Sequence, residues 1–230
     1  MNWQVPRLWD GGDVWIIGGG PSMTKQFDIP DEVVKDVLSG SSPVSVYSPY
    51  MKGIHEKHVI GINIAYLIGD WIDMVFFGDN GFFNSHKERL ALFPGLKITC
   101  VTEVAKVSWV KFLSRDGKGR GISENPKMVC WNNNSGAAAM SVAANAGAKR
   151  IILLGFDMKL DDKNYQHWHN MYGKGDSVDV KRLQRLPFDK HLKGFASIAQ
   201  DARKRGIEVI NCSLDSKITE FPKMSVKDLL

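Results

Sequence analysis

Val14-Trp15-Ile16-Ile17-Gly18-Gly19-Gly20-Pro21-Ser22 decides the fold. Four consecutive apolar residues, bounded by glycine and without polar alternation, have the pattern of a strand buried on both faces of a parallel sheet. The glycines break the strand, Pro21 suits the first turn of a helix, and Ser22 can cap that helix or donate to an anion. Glycine in such a turn permits positive φ and lets backbone N–H groups approach a phosphate, at a helix end whose dipole favours negative charge. The spacing is not GxGxxG in full, and no GK[ST] ends it, so the turn is neither a dinucleotide fingerprint nor a Walker loop. A plain tight turn is the alternative reading.

Outward from this stretch the same rhythm repeats. His58-Val59-Ile60-Gly61-Ile62, Met74-Val75-Phe76-Phe77, Lys97-Ile98-Thr99-Cys100-Val101 and Arg150-Ile151-Ile152-Leu153-Leu154 read as further strands, with Glu208-Val209-Ile210-Asn211 late in the chain. Lys127-Met128-Val129-Cys130-Trp131 is a weaker strand. Residues 135–146 are alanine-rich, start at an Asn134-Ser135 cap and stop at Gly147; residues 188–205 read as a second helix that stops at Gly206. Strands alternating with helices predict a Rossmann-like α/β fold, a mostly parallel sheet with helices on both faces. The length of 230 residues suits one domain over 1–230, with flexible insertions at 39–57, 115–126 and a mobile loop at 161–187.

Open sheets bind ligands beyond the carboxyl ends of their strands. Gly61-Ile62-Asn63 ends one strand, and the Asn63 amide can read a base or ribose or simply cap. Phe77-Gly78-Asp79-Asn80 ends another; Asp79 suits a ribose or a divalent metal, and Asn80 a ligand amide or hydroxyl. Asn132-Asn133-Asn134-Ser135-Gly136 opens the alanine-rich helix and aims a second helix N-terminus at the same edge. Leu154-Gly155-Phe156-Asp157 closes the strongest strand, with Asp157 a ribose ligand, metal ligand or cap. Tyr165-Gln166-His167-Trp168-His169, with Tyr172 beyond, puts two histidines at i and i+2, whose rings share one side of an extended segment. Two imidazole nitrogens without a nearby cysteine do not make a zinc set, so no metal ligand is assigned. A histidine there suits a general base or a phosphate contact. His191 is the second choice of base.

In order, Ile16-Ile17-Gly18-Gly19-Gly20-Pro21-Ser22, Gly61-Ile62-Asn63, Gly78-Asp79, Asn134-Ser135-Gly136 and Gly155-Phe156-Asp157 resemble the MptE-like (DUF115) group and the related bacterial family 42 sialyltransferases, uncharacterised phage-borne members above all. The similarity runs from about Val14 to Pro222 and is more specific in its second half: Asn134 to Met158, a histidine-bearing loop, a helix, and Gly206 to Pro222. It implies a nucleotide at the sheet edge, with Gly18, Gly20 and Ser22 by the phosphate, Asn63 by the base or ribose, and Ser135-Gly136 by the nucleotide. In those sialyltransferases a later loop carries phosphate-binding tyrosines and a histidine base, a region that here holds Tyr165, Tyr172, His167 and His169. They carry an asparagine inside the first turn, where this chain has Gly19.

The function expected from these residues is nucleotide-dependent transfer, foremost glycosyl transfer from a sugar nucleotide, a CMP-linked one among those the resemblance allows, to a hydroxyl-bearing acceptor. The catalytic pair is then His167 and His169, and the nucleotide set Gly18, Gly19, Gly20, Pro21, Ser22, Asn63, Asp79, Asn80, Asn134, Ser135, Gly136, Asp157, Tyr165 and Tyr172. Two alternatives stay open. One is magnesium-dependent diphosphoryl transfer from ATP to a hydroxymethyl acceptor, with Mg held by Asp79 or Asp157. The other is a non-catalytic nucleotide- or nucleic-acid-binding module.

Charge constrains this little. Thirty Lys and Arg against 25 Asp and Glu leave a net +5 and a pI near 9.0, which suits a polyanionic ligand and permits phage DNA as acceptor. The basic residues are scattered and not interleaved with aromatics as a single-strand platform requires. Cys100, Cys130 and Cys212 lie far apart and read as small buried apolar residues. No apolar run reaches the ~20 residues of a membrane span. A basic leader with an apolar core is lacking near Trp3, Asp10 and Asp13, so a cytoplasmic setting is expected, the host's for a phage protein. Association into oligomers is left open.

Overall fold

The computed structural model describes residues 3–172 and 186–230. Its strands are β1 (Asp13–Ile17), β2 (His58–Ile62), β3 (Met74–Phe77), β4 (Leu96–Thr99), β5 (Lys111–Phe112), β6 (Ser114–Arg115), β7 (Met128–Val129), β8 (Arg150–Leu154) and β9 (Glu208–Asn211). Seven form one sheet in the order β5-β4-β3-β2-β1-β8-β9, and every pairing is parallel. The α-helices are α1 (Ser22–Gln26), α2 (Asp31–Ser39), α3 (Asn80–Leu92), α4 (Ser135–Asn145), α5 (Phe188–Leu192) and α6 (Phe195–Lys204).

Each face of the sheet owns a core because successive side chains on a strand point opposite ways. Val14 and Ile16 of β1 join Ile60, Met74, Ile151 and Leu153 in one core, covered by α4 and α6. Trp15 and Ile17 join Val59, Val75, Phe77 and Leu154 in the other, covered by α1, α2 and α3. Helix α4 is buried at every position from Gly136 to Asn145. Its alanines explain this: short side chains let the helix backbone lie close against the sheet.

Four local expectations are corrected. Residues 39–57 are not a loose insertion: Val44–Ile54 winds into 3₁₀ turns that bury Val44, Tyr47, Met51 and Ile54 against the second core. Residues 115–126 are likewise tied down, with the Ile122 amide donating to Asp201 (2.9 Å), the Gly121 amide to Asn132 (2.8 Å), and Ser123 to Asp116 (2.6 Å). The strand expected over 127–131 shrinks to Met128–Val129, which pairs with β6 in a separate two-stranded sheet. The helix expected over 188–205 is two helices, broken at Lys193-Gly194, where Gly194 runs so close to Asn132 that a Cβ would lie 2.8 Å from its side chain.

Cys100, Cys130 and Cys212 are free and buried, and burial pushes the last two thiols up to about 11 and about 12. Among the described residues no helix is long and apolar enough to cross a membrane.

The strand order positions the site. Moving outward from β1, the chain runs through β2, β3, β4 and β5 in one direction, then returns to lay β8 and β9 on the other side. The junction of β1 and β8 is therefore the topological switch point, where connections leave in opposite directions and a crevice opens at the carboxyl edge.

Candidate functional site

Past its last strand residue, β1 stays paired with β8: the Gly18 amide donates to the Leu154 carbonyl (2.7 Å) and Gly20 to Gly155 (2.8 Å). Side chains are excluded here by proximity. A Cβ at Gly18 would sit 2.8 Å from the Gly155 oxygen, and one at Gly20 would sit 1.9 Å from Asp157 Oδ2. Positive φ is not the reason, because none of Gly18, Gly19 and Gly20 has it; Gly155 across the pair does, at 65°.

Helix α1 already has a carboxyl group at its start. The Ser22 amide faces Asp157 Oδ2 at 3.4 Å, and burial raises the Asp157 carboxyl while the contacts from Ser22 oppose that rise. Ser22 Oγ also lies 2.8 Å from Ser213 Oγ and accepts from Gln26 (3.0 Å). Pro21 and Ser22 accordingly face a smaller cavity of about 350 Å³, apart from the main one.

The main cavity, about 740 Å³, opens at the switch point, within the usual range for small-molecule sites. Of the residues expected from sequence, it gathers Gly18, Gly19, Gly20, Asn63, Asp79, Asn134, Ser135, Gly136, Asp157, His167 and Tyr172, and also His191. Asn80 begins α3 but does not line it. Tyr165 is held in a turn, its amide donating to Asp161 Oδ1 (2.7 Å), and Gln166 lines the wall instead. His169 lies behind the wall, 5% exposed. Residues 173–185 of the expected mobile loop lie outside the described residues.

Each strand end brings a polar group to the rim. Asn63 adopts φ 51°, which asparagine tolerates, and its Oδ1 is buried with no hydrogen-bond partner among the described residues. The Tyr172 hydroxyl meets the Asn63 side chain and the Ile64 amide. Asp79 caps α3 by accepting from the Phe82 amide (3.1 Å). Asn134 caps α4 by accepting from Ala137 (3.1 Å), which satisfies the third amide of the helix and leaves Ser135 and Gly136 at the cavity wall. Asn132 and Asn133 precede them at φ 53° and 54°, and Met158 on the facing wall holds φ 51°. A methionine there is strained, and such strain concentrates at ligand sites.

The histidine segment docks on the glycine turn. Trp168 Nε1 donates to the Gly18 carbonyl (2.8 Å), the Trp168 amide to Gly19 (3.3 Å), and His167 Nδ1 lies 3.2 Å from the Gly19 oxygen. The His167 and His169 rings stack at 5.2 Å and 5°, sharing a side as expected, with Tyr172 edge-on to both.

His169 Nδ1 accepts from the Met171 amide (3.2 Å), so its proton is on Nε2. Burial, with His167 and His86 nearby, pushes its pKa well below the ordinary value. Burial also lowers His86, with Arg89, and His191, with Lys190. A histidine whose folded pKa lies below its unfolded one contributes stability that is complete above about pH 6.5 and is lost as pH falls through the folded value. The thermal midpoint is therefore expected to fall on acidification below about pH 6.5, and His169→Gln, which keeps an acceptor for Met171, to reduce that slope. An unchanged slope in the variant would show that His169 is not a source of the acid sensitivity.

Sequence reading missed several wall residues. Phe82, Ser85 and His86 face the cavity from α3, and His86 stacks on Phe82 at 4.7 Å. Their i, i+3, i+4 spacing just after the Asp79 cap was the available signal. Trp131, with the Arg115 guanidinium 4.4 Å from its ring centre, reaches the wall because Gly78 leaves it room: a Cβ there would lie 2.1 Å from the indole. Lys159, Met171 and Phe188 also line the cavity, and no local pattern marks them.

No protein-family model matches the chain, and no curated protein matches its sequence. The MptE-like and phage affinities expected from sequence thus have no matching family model behind them. Solved structures do match. The MAf glycosyltransferase from Magnetospirillum magneticum AMB-1 is similar over 99% of this chain and 35% of its own, with 13% identity and a TM-score of 0.56. The sialyltransferase CstII from Campylobacter jejuni, in complex with cytidine-5'-monophosphate, is similar over 94% of this chain and 86% of its own, with 14% identity and a TM-score of 0.49. CstII with a trisaccharide acceptor and CMP gives 15% identity and a TM-score of 0.45, over 93% and 86% of the two chains. At these identities the likeness to the Magnetospirillum enzyme is one of fold, and this chain spans about a third of that enzyme's length.

Proposed function

We propose that this chain is a glycosyltransferase whose main cavity takes a sugar nucleotide, and that a cavity histidine accepts the proton of the acceptor hydroxyl. The observation that carries the reading is the convergence, at one switch point, of the α4 N-terminus, the unpartnered Asn63 oxygen and the histidine segment. The donor phosphate is assigned to the Ser135 and Gly136 amides. Helix α4 has 11 residues, its dipole favours an anion, and its cap leaves those first two donors to the cavity. The start of α1 is less suited, since Asp157 already faces it. Asn63 Oδ1 accepts from a base amino group or a ribose hydroxyl.

In the transfer, the acceptor oxygen forms a bond to the sugar's anomeric carbon as the bond from that carbon to the phosphate oxygen breaks. The hydroxyl proton passes to His167, and the nucleotide phosphate leaves as an anion held at the α4 N-terminus. The reading does not invoke magnesium. Asp79 caps α3 and Asp157 faces the start of α1, and both line the cavity, so the chelator arm of the screen tests a cation at either.

Thermal-shift screening against CMP, UMP, GMP, ADP, ATP and their sugar derivatives tests this, each with magnesium and with a chelator. A ligand at a hundredfold excess over its Kd stabilises by about 2.7 kcal/mol, roughly 5–11 °C at this chain length. A shift with a sugar nucleotide that survives the chelator, together with donor turnover, is the expected result. No shift with any nucleotide would sink the proposal.

A further inference from the structure

Three hydrogen bonds run into the carbonyls of the glycine turn from the segment 167–168. Its Gly18 and Gly19 carbonyls, left over when β1 ends, accept from the Trp168 indole, the Trp168 amide and the His167 ring. Trp168 is 1% exposed, and Tyr47, wholly buried, fixes it from the other side by donating its hydroxyl to the Trp168 carbonyl (3.1 Å). Residue 168 is thus held at its indole, its amide and its carbonyl.

The missing side chain at position 19 acquires a reason here. A Cβ on Gly19 would lie 2.9 Å from His167 Nδ1, so the imidazole occupies the space a residue-19 side chain would need. A carbonyl oxygen only accepts, so the contact at 3.2 Å requires a proton on His167 Nδ1.

We propose that the glycine turn is the docking seat of the histidine segment, and that Trp168 is a positioning residue which, through Gly18 and Gly19, holds His167 in its Nδ1–H tautomer at the cavity wall. The turn then serves the base, while the donor phosphate is assigned to the α4 N-terminus. The link to catalysis rests on the reading above, but the tautomer does not.

The test is therefore made first without substrate. Long-range ¹H–¹⁵N spectra of the full chain, with His167 assigned from the signal missing in His167→Gln, are expected to show the Nδ1–H form. Trp168→Phe keeps an aromatic ring and removes the indole donor. Gly19→Ala leaves Trp168 intact and displaces the imidazole. Both are expected to move His167 toward Nε2–H and shift its titration midpoint. If Trp168→Phe does not fold, Gly19→Ala decides alone. An Nε2–H tautomer in the wild type, or an unmoved His167 signal in a folded Gly19→Ala, overturns the proposal. With a donor identified by the nucleotide screen, Trp168→Phe should lower kcat roughly tenfold and leave KM for the donor nearly unchanged. Absence of any turnover in the wild type would count against the glycosyltransferase reading and leave the tautomer result standing.

Discussion

Gly20→Ala is expected to lower the thermal midpoint by about 2–12 °C and to weaken nucleotide binding in the same protein. The added methyl would lie 1.9 Å from Asp157 Oδ2 and 2.6 Å from the Gly155 carbonyl. Neither obstacle can step aside. Gly155 is backbone, already bonded to Gly20, and Asp157 is 4% exposed. The ends of β1 and β8 must then move apart, and overpacking of this kind costs about 1–3 kcal/mol, which sets the range at ~2–4 °C per kcal/mol for a chain of this size. Gly117→Ala is the control, since its Cβ would meet nothing within 4 Å. Equal midpoints for the two variants would show that the turn tolerates a side chain and that close approach does not explain its glycines.

His167→Ala is expected to lower kcat by about 10²–10⁴-fold, the usual contribution of a positioned general base, while nucleotide binding stays within a few-fold. Binding is expected to survive because the proposed site assigns the phosphate to the amides of Ser135 and Gly136, which the histidine does not support. The companion His191→Ala should fall much less. His191 lines the same cavity, so the reverse pattern would transfer the base to it. Full turnover in both would mean that no histidine of these two segments takes the proton.

The two variants probe features of different legibility. Strands such as Val14–Ile17 and Arg150–Leu154 were readable because a doubly buried parallel strand is a local run of apolar residues. Helix α4 was readable because alanine, an asparagine cap and a terminal glycine are all near neighbours along the chain. Residues 188–205 carried a helical pattern too, yet the helix breaks at Gly194, where the backbone passes Asn132, 62 positions away in sequence by its number. Likewise 39–57 looked like a loop because its buried residues belong to 3₁₀ turns, whose short pieces have no clear period.

The sequence by itself determined the α/β class, the parallel strands and the strand ends that form the site, since each depends on propensity and pattern within a few residues. It also marked the glycine turn as a place where side chains are unwelcome. Only the tertiary structure decided why. Glycine is needed at 18 and 20 because residues 155–157, just past β8, come too close, and at 19 because His167, 148 residues on, fills the space. Asp157 facing the start of α1, Trp131 against Gly78 and Trp168 on the turn are likewise consequences of strand order. Contacts of that kind depend on which strands the sheet makes neighbours, and no local pattern in the chain encodes them.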